Sequence, residues 1–408
     1  MRTNWRVVSL LCVVAGIAYL VRTDIAVAQE RMAPAIGLTM TEMGAITAWG
    51  FQLSYALLQV PAGLFGERVG ARIALALAML GGSLASLVAG LMPAAAATGT
   101  LIGSRIVLGV SQAAVFPVAA LAVSQFVDAA YRTRALAMVI SASSLGGAVA
   151  PLLMAPVMEQ LGWRAVFVIS ATMGAATAAA CLLFMPRATP AHVVSRQQPA
   201  SGFFHGARVL LGEPNLQRLS IAYLLHSAVY FVFVFWFFRY LTEGRGFTIL
   251  SSGVWASLPN VAGFVAAPLI GTFVDRFGAR IGGATARRRV AMACLLGAAA
   301  FALTGAVVPG AVLAIVALSL SSACLNGAES PFFTSATTIG GPHAGAAAGL
   351  LNLMGNVGGV LSIWLAPQMS AAWGWNATLL CWAAVAFVAA ILWLTVRVND
   401  HATTTRDR

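Results

Sequence analysis

A ten-residue pattern that occurs twice is the feature that most constrains this chain. Residues 63–72 read GLFGERVGAR and residues 271–280 read GTFVDRFGAR, so glycine, acid, arginine, glycine and arginine recur at the same offsets, 208 positions apart. Two dipeptides recur 212 positions apart, a Gly-Gly that begins at Gly146 and Gly358 and a Gly-Trp that begins at Gly162 and Gly374. Repetition on this scale indicates a chain built from two related halves.

The composition requires an apolar solvent for much of the protein surface. Apolar residues make up 60% of the 408 positions and charged residues 9%, which leaves too little polar surface for a water-soluble protein of this size. Apolar runs of about 20 residues, long enough to cross a hydrocarbon core of about 30 Å as helices, begin near Val7, Met43, Ile73, Thr98, Arg134, Arg164, Leu219, Ile249, Val290, Ala311, Gly345 and Ala377. We therefore predict an all-α membrane protein with twelve transmembrane helices in two six-helix bundles. A β-barrel is excluded because its strands would alternate over about ten residues.

The distribution of charge predicts the orientation of the chain in the membrane. The formal net charge is +12, and all 24 basic residues are arginine. With the N-terminus in the cytoplasm, 18 arginines fall in cytoplasmic segments, and only Arg31, Arg164, Arg239 and Arg245 fall outside. This asymmetry is the positive-inside bias, which predicts cytoplasmic N- and C-termini and argues against nucleic-acid binding. We expect a multi-pass protein of the bacterial cytoplasmic (inner) membrane.

The halves are predicted to be joined by a polar connection. Residues 186–218 are rich in proline and arginine, which predicts a cytoplasmic linker between an N-terminal bundle (1–185) and a C-terminal bundle (219–397). Residues 398–408 form a cytoplasmic tail. The other loops are too short for a nucleotide-binding domain, which argues against ATP-driven transport and against an enzyme. The five cysteines, all in apolar runs without paired spacing, predict no disulfide, metal site or cofactor.

The repeated decapeptide resembles the signature of the major facilitator superfamily, which lies in the loop between the second and third helices. The resemblance implies a gate on the cytoplasmic side, in which Glu67 and Asp275 pair with arginines of neighbouring helices, Arg132 and Arg134 being the expected partners. Exposed pairs of this kind are worth about 1 kcal/mol and can break and reform. The alternative is that these residues only anchor the loop. The predicted gating residues are Gly63, Glu67, Arg68, Gly70, Arg72, Arg132, Arg134, Asp275, Arg276 and Arg280.

Four ionisable residues lie inside apolar runs: Arg22, Asp24, Arg105 and Glu329. A charge at the bilayer centre costs about 2.5 to 3.5 kcal/mol on the most lenient scale, so each should face a partner or water. Two unneutralised arginines on the first and fourth helices, Arg22 and Arg105, would suit an anionic substrate. The alternative is a neutral site in which Arg105 only organises helix contacts and Arg22 pairs with Asp24, although positions i and i+2 of a helix point apart.

Further segments resemble the anion:cation symporter family, which includes sugar-acid and phthalate permeases. Tyr19-Leu20-Val21-Arg22 is similar to the family's Tyr-x-Asp-Arg on the first helix, and residues 104–112 with 116–117 are similar to its fourth helix. Residues 256–264 and 349–356 are similar to its eighth and eleventh helices.

Two departures from that family concern its usual proton carriers. Val21 replaces an aspartate, and Gln112 replaces a glutamate that commonly accompanies the arginine of the fourth helix. If transport is proton-coupled, the proton is therefore expected on Asp24 or Glu329, the remaining carboxylates inside apolar runs. Sodium coupling, uniport and anion exchange stay open, as does a purely structural role for Glu329 in a pair with an arginine.

Polar residues on shared helical faces complete the predicted substrate site. His226 and Tyr230 are four positions apart, as are Asn352 and Asn356, so each pair lies on one face of its helix. A lone histidine among aromatic residues is also a common packing residue. The predicted substrate-binding residues are Arg22, Arg105, Tyr19, Gln112, His226, Tyr230, Asn352 and Asn356.

We therefore expect a monomeric secondary active transporter that imports a small organic anion, a monocarboxylate or sugar acid, by alternating access and symport with a cation. A proton is the expected coupling ion and sodium the alternative. A drug or metabolite exporter working as a proton antiporter on the same fold is the competing interpretation. It would have a cavity led by Asp24 and Glu329 rather than by Arg22.

Overall fold

In a computed structural model of the protein, residues 4–93, 97–128, 131–187 and 210–397 are described, and every regular element among them is helical. The helices are α1 (Trp5–Ala35), α2 (Met40–Ala45), α3 (Leu53–Val69), α4 (Ala71–Leu91), α5 (Ala97–Gln112), α6 (Val115–Phe126), α7 (Arg132–Leu161), α8 (Trp163–Phe184), α9 (Pro214–Arg239), α10 (Ile249–Ile281), α11 (Gly283–Val307), α12 (Ala311–Gly340) and α13 (Ala344–Thr395). π-Helical turns cover Ile46–Gln52 and Tyr240–Gly244, and a 3₁₀ turn covers Gly341–His343.

Helices are the expected outcome for these sequences. Inside a bilayer only a helix or a closed barrel satisfies every backbone polar group, and these runs lack the alternation of a barrel. Polar side chains stabilise two helix starts: the side chain of Asn4 accepts a hydrogen bond from the backbone N–H of Val7, and Thr39 and Glu42 form a reciprocal capping box. The sequence thus specifies both the apolar helix bodies and some of their polar ends.

Ten helical segments are long and apolar enough to cross a membrane among the described residues. Two features separate this number from the twelve runs of the sequence. The segment 40–69 is divided by the π-helical turn Ile46–Gln52, so neither part alone has the length of a span. The long helix α13 contains two helices that meet at Gly374, whose φ of 77° is not helical.

The backbone carries the two-fold repetition of the sequence at a spacing of 212. Gly162 and Gly374 have φ values of 83° and 77°, and each precedes a tryptophan that begins a helix. Gly70 and Gly282, also 212 apart, have φ values of 84° and 90° and separate α3 from α4 and α10 from α11. Positive φ is a conformation that glycine adopts without steric cost, which explains why these turns use it.

The two copies of the decapeptide lie differently relative to these glycine turns. The first copy spans the turn at Gly70, whereas residues 271–280 lie entirely inside α10, which continues to Ile281. The turn at Gly282 comes four residues, about one helical turn, after the decapeptide's second glycine, Gly278. The second copy thus lies at the C-terminal end of its helix and not across the turn that follows it.

Two glycines of the repeated pattern, Gly146 and Gly358, allow neighbouring helices to approach closely. A Cβ atom on Gly146 of α7 would overlap the carbonyl oxygen of Gly16 of α1, and one on Gly358 of α13 would overlap that of Leu224 of α9. Small residues permit this approach of two backbones. By contrast, a Cβ on Gly99 or Gly103 would meet nothing within 4 Å, so these two glycines of α5 permit no such close approach.

The chain forms two compact units. The first contains the described residues up to 187 together with Val234–Val261 and Ile363–Gln368. The second contains the described residues from 210 to Phe233, Ala262–Ser362 and the described residues from Met369. Within the first unit, α1 packs most extensively on α7, and α4 packs on α8.

The predicted connection and tail lie mostly outside the described residues. Positions 188–209 of the predicted linker and the whole predicted tail, 398–408, are outside them. At the end of the predicted linker, helix α9 already begins at Pro214, five positions before the predicted bundle boundary at 219. Proline is favourable at the first position of a helix, because its missing N–H has no intrahelical partner there.

Candidate functional site

Arg22 is a buried cation whose charge is not matched by an acid. It lies in the interior of α1 with 4% of its surface accessible. Its Nε donates a hydrogen bond to Oε1 of Gln112 on α5, at 3.2 Å. Within the part of the chain that the structure describes, no carboxylate lies within the 4.0 Å ion-pair distance of Arg22. Because a buried charge requires compensation, Arg22 is the principal candidate for binding an anion.

Three aromatic rings surround the Arg22 guanidinium. Its Cζ lies 4.3 Å from the ring centroid of Tyr55, 5.2 Å from that of Tyr19 and 5.3 Å from that of Phe51. Phe51 and Tyr55 stack on each other with centroids 5.9 Å apart. Cation–π contacts of this kind stabilise a cation by about 0.5 to 2 kcal/mol without removing its charge. The rings therefore orient the guanidinium and leave its electrostatic attraction for an anion in place.

Gln112 fixes Arg22 against α1. Its Nε2 donates to the carbonyl oxygen of Ala18 at 2.9 Å, while its Oε1 accepts from Arg22. The amide is thereby held in one orientation by partners one helical turn apart on α1. A glutamate here would neutralise Arg22, whereas glutamine holds it and adds no charge. The replacement noted in the sequence thus makes this site more positive.

Arg105 is held differently, and this corrects the expectation of two unpaired cations. Its Nη1 lies 3.8 Å from Oδ1 of Asp24, and both side chains are buried. Its Cζ also lies 5.4 Å from the ring centroid of Phe167 on α8. Arg105 is therefore charge-compensated within the protein by Asp24, which does not pair with Arg22 as the alternative interpretation expected. The prediction that Arg105 contributes an uncompensated charge to the substrate site was wrong.

A second polar cluster lies in the other compact unit and joins α9 to α12. The hydroxyl of Tyr223 donates to Oε1 of Glu329 at 2.7 Å. His226, one turn further along α9, is buried, stacks on Tyr223 with centroids 5.4 Å apart, and has its Nε2 3.8 Å from Oε2 of Glu329. Phe332 covers both rings, with centroids 5.0 Å from Tyr223 and 5.2 Å from His226. No arginine of the described residues pairs with Glu329, so the structural alternative of an Arg–Glu329 pair is not supported.

The remaining predicted substrate residues lie on α9 and α13 and make local contacts. Tyr230 contacts Phe231 edge to face, at 5.6 Å between centroids. Asn356 uses its side-chain amide to donate to the backbone carbonyl of Asn352 at 2.8 Å. This local bond orients Asn356 along α13. The roles of Tyr230, Asn352 and Asn356 remain predictions.

Sequence reasoning missed two residues that organise these clusters. Tyr223 makes the shortest side-chain contact to Glu329, yet it belongs to no motif. Phe51 contacts both Arg22 and Tyr55 from a helix that the sequence marks only as apolar. The spacing of Tyr223 and His226, three positions apart on one helical face, is a signal that points to the first of them.

The first decapeptide anchors helix ends. Arg72 donates through Nη2 to the carbonyl oxygen of Leu182 near the C-terminal end of α8. Gly66 lies against Val118 of α6 with no room for a Cβ, and Gly63 lies against Pro117, where a Cβ would approach to 3.3 Å. A cation at a helix C-terminus complements its unsatisfied carbonyl groups.

The predicted partners of Glu67 are engaged elsewhere. Arg132 donates to the carbonyl oxygens of Ser124 at 2.7 Å and Val127 at 3.1 Å. Arg134 lies over the ring of Trp5, with its Cζ 5.6 Å from the centroid. Across the described ranges no ion pair joins Glu67 to either arginine, so the expected pairing is not present in this structure. The neighbouring Arg68 lies in the last turn of α3, where its charge also complements the helix end.

In the second half the equivalent of Arg72 is an arginine outside the decapeptide. Arg288 donates through Nη2 to the carbonyl oxygen of Leu394 at 2.8 Å, and Leu394 lies 212 positions after Leu182. Asp275, Arg276 and Arg280 lie inside α10 and form no ion pair among the described residues. Their gating role remains a prediction, because no observed contact assigns it.

No group of three or more His, Cys, Asp or Glu side chains that could hold a metal occurs among the residues that the structure describes. The cysteines in the described part of the chain form no disulfide bond.

Known proteins resemble this chain in sequence and in fold. Residues 11–285 match the Major Facilitator Superfamily. A probable sulfoacetate transporter of Cupriavidus necator is 27% identical over 373 residues, which cover 88% of this chain and 86% of that protein. A hexuronate transporter of Bacillus subtilis is 24% identical over 365 residues, covering 87% of this chain and 85% of that protein.

A solved structure supports the fold independently. A bacterial homologue of the human lysosomal transporter Spinster superposes with a TM-score of 0.80 at 16% identity, covering 97% of this chain and 98% of that one. At this identity the likeness concerns the fold alone. Together with the sequence match, which extends over more than half of the chain, it leads to one conclusion: this protein is a transporter that belongs to the major facilitator superfamily.

Proposed function

We propose that this protein imports a small organic anion, a monocarboxylate or sugar acid, by alternating access and in symport with protons. The proposal includes twelve membrane-spanning helices in two bundles of six, with both termini in the cytoplasm and with the bacterial inner membrane as the location. Counting the segment 40–69 as one span and dividing α13 at Gly374 gives the twelve. The 212-residue spacing of the glycine turns supports the equal division.

The observation that carries the proposal is the uncompensated charge of Arg22. A guanidinium held between Gln112 and aromatic rings, without a carboxylate of its own, is electrostatically complementary to an anion. Its planar array of donors suits a carboxylate or a sulfonate, which accept two parallel hydrogen bonds. The relatives named above are transporters of sulfoacetate and hexuronate, whose names describe small organic acids. The chemistry of the site and the kinship of the chain thus favour the same substrate class.

The arrangement of acids argues against the exporter alternative. That alternative predicts a cavity led by Asp24 and Glu329, with Arg22 pointing into the protein. Asp24 is instead completely buried and paired with Arg105. A carboxylate engaged in this way is not available to a cationic drug.

Uptake into proteoliposomes tests the proposal. The purified protein is reconstituted, and uptake of radiolabelled sulfoacetate, D-galactonate, tartrate and glucuronate is measured with an imposed pH gradient, an imposed sodium gradient or no gradient. We expect accumulation of at least one of these acids with the pH gradient, abolished by a protonophore. Accumulation of a cationic dye in place of every acid would contradict the proposal and favour the exporter.

A further inference from the structure

The hydrogen bond from Tyr223 to Glu329 connects two helices at a carboxylate that can bind a proton. Tyr223 on α9 donates to Oε1 of Glu329 on α12 at 2.7 Å. On its other side, Tyr223 packs against Gly355 of α13, where a Cβ would overlap the tyrosine ring. Tyr223 of α9 thus contacts residues of two other helices in the same compact unit, α12 and α13.

Glu329 is accessible, and this distinguishes it from the other carboxylate inside a predicted span. About half of its side chain, 45%, is exposed, whereas that of Asp24 is 0% exposed. An ionised carboxylate facing lipid is strongly disfavoured, so the exposed part of Glu329 must meet water. A group that exchanges protons with solvent needs such access. Asp24, closed off and paired with Arg105, lacks it.

The ring of His226 is held in one orientation beside this carboxylate. Its Nε2 lies 2.9 Å from the carbonyl oxygen of Leu325, and because a carbonyl only accepts, Nε2 carries the hydrogen. Its Nδ1 is buried and, among the described residues, has no hydrogen-bond partner. Protonation of His226 would leave a buried N–H donor unsatisfied there, which is costly. The arrangement therefore favours proton uptake by Glu329 over His226.

No other charged group competes for Glu329 in the described part of the unit. The titratable side chains that face it are Tyr223 and His226, both from α9, and Tyr230 follows on the same helix. The helices α10, α11 and α13 contribute no arginine within 4.0 Å of its carboxylate. Its ionised form is thus held by one tyrosine hydroxyl, which is a weaker restraint than an ion pair.

We propose that Glu329 binds the coupling proton, that Tyr223 is a positioning residue which transmits its protonation state to α13, and that Asp24 is the fixed counter-ion of Arg105. The assignment of this proton to symport rests on the proposed function above. When Glu329 is ionised, it holds Tyr223 through the O–H···O bond to a charged acceptor. Protonation weakens that bond, because hydrogen bonds to charged groups are stronger than neutral ones, and releases the tyrosine ring beside Gly355.

An infrared titration tests the proton site without any substrate. Detergent-purified protein is titrated from high to low pH, and the carboxylic-acid C=O stretch is followed in difference spectra. We expect one component of this band to grow as the pH is lowered, to be missing in Glu329→Gln, to persist in Asp24→Asn and to shift its titration midpoint in Tyr223→Phe. The matched control is Glu159→Gln, which removes a carboxylate of similar exposure that pairs with Arg31 on the protein surface; this variant should keep the band.

Transport measurements test the coupling. Proteoliposomes containing wild-type protein or Glu329→Gln are assayed with radiolabelled D-galactonate, tartrate, sulfoacetate and glucuronate. In Glu329→Gln, we expect accumulation driven by a pH gradient to fall to the level of protein-free liposomes, while exchange of labelled for unlabelled substrate continues, because exchange requires no net proton movement. In Tyr223→Phe, we expect the pH profile of uptake to shift while exchange is retained.

The outcomes separate this proposal from the proposed function. A C=O difference band in Glu329→Gln that has lost no component, or unchanged proton-driven accumulation in that variant, would overturn the proton site. If the wild-type protein accumulates none of the acids, the proposed function fails, and the infrared titration alone decides whether Glu329 binds the proton. Size-exclusion profiles of all variants show whether a lost signal is a loss of folding. If Glu329→Gln is misfolded, the midpoint shift of Tyr223→Phe decides, and an unshifted midpoint counts against the proposal.

Discussion

The guanidinium of Arg105 and the carboxylate of Asp24 form an ion pair between α5 and α1, with Nη1 and Oδ1 3.8 Å apart and both side chains buried. Nε and Nη2 of Arg105 have no hydrogen-bond partner among the described residues. Asp24 is therefore the group that compensates this charge. The two buried arginines of the first unit therefore differ. The charge of Arg105 is compensated by Asp24, whereas the charge of Arg22 is not compensated by an acid.

Replacing Asp24 with Asn should destabilise the protein. Removal of one partner from a buried ion pair leaves the other charge uncompensated and typically costs about 3 to 5 kcal/mol. We expect the thermal unfolding midpoint of the detergent-purified variant to fall well below that of the wild type. The double variant Asp24→Asn with Arg105→Gln should recover part of the loss, because it removes both charges.

The control for this change is Glu159→Gln. Glu159 pairs with Arg31 at 3.1 Å, but both side chains are exposed, so we expect an effect of less than about 1 kcal/mol. Equal midpoints for Asp24→Asn and Glu159→Gln would show that the buried pair does not stabilise the fold.

Replacing Gln112 with Glu should make anion binding depend on pH. Gln112 accepts from Nε of Arg22 at 3.2 Å, so an ionised glutamate at this position would neutralise Arg22 and compete with the substrate. We expect the Kd for a bound acid such as D-galactonate to rise about tenfold at high pH, a loss of about 1.4 kcal/mol. At low pH the glutamate is protonated, and affinity should recover.

Isothermal titration across a pH series checks this result. The variant Gln125→Glu provides a control. Gln125 is also a buried glutamine of the first unit, but the glutamine that hydrogen-bonds to Arg22 is Gln112. Loss of affinity in Gln112→Glu that is the same at every pH would indicate a packing defect instead of competition for the guanidinium.

The repeated glycines should be equivalent in the two halves. Alanine at Gly146 would overlap the backbone of Gly16, and alanine at Gly358 would overlap that of Leu224. Overpacking of a tight contact costs about 1 to 3 kcal/mol, so both variants should lower the unfolding midpoint. Gly99→Ala is the matched control, because a Cβ there meets nothing within 4 Å. A midpoint for Gly146→Ala equal to that of Gly99→Ala would contradict the close approach of α1 and α7.

Much of the helical architecture could be predicted from apolar runs and glycines. Runs predicted to begin near Ile73, Arg164 and Ala311 correspond to helices that begin at Ala71, Trp163 and Ala311, each directly after a glycine. Run length and helix-ending glycines are local properties, and a bilayer makes the helical state of such runs nearly obligatory. The exact helix ends were not predictable in this way, because α10 continues through its copy of the decapeptide, whereas α3 ends within the first copy, which has similar residues.

The site was only partly readable from the sequence, for a geometric reason. Helical periodicity shows which residues share a face of one helix, but the rotation of one helix against another depends on packing over its whole length. The sequence thus indicated that Arg105 is important, but only the structure shows that it pairs with Asp24. Tyr223 was missed for the same reason, since its partner Glu329 lies 106 positions away.

The most direct measurement of the central claim is ligand-induced thermal stabilisation with and without Arg22. Purified protein is screened with sulfoacetate, D-galactonate, tartrate and glucuronate, in parallel with Arg22→Ala and with Arg31→Ala, an exposed arginine of the same helix. We expect an acid that stabilises the wild type and Arg31→Ala to lose about 1.5 to 3 kcal/mol of binding in Arg22→Ala, which raises its Kd about 10- to 150-fold. Stabilisation of Arg22→Ala equal to that of the wild type would show that this guanidinium does not bind the anion.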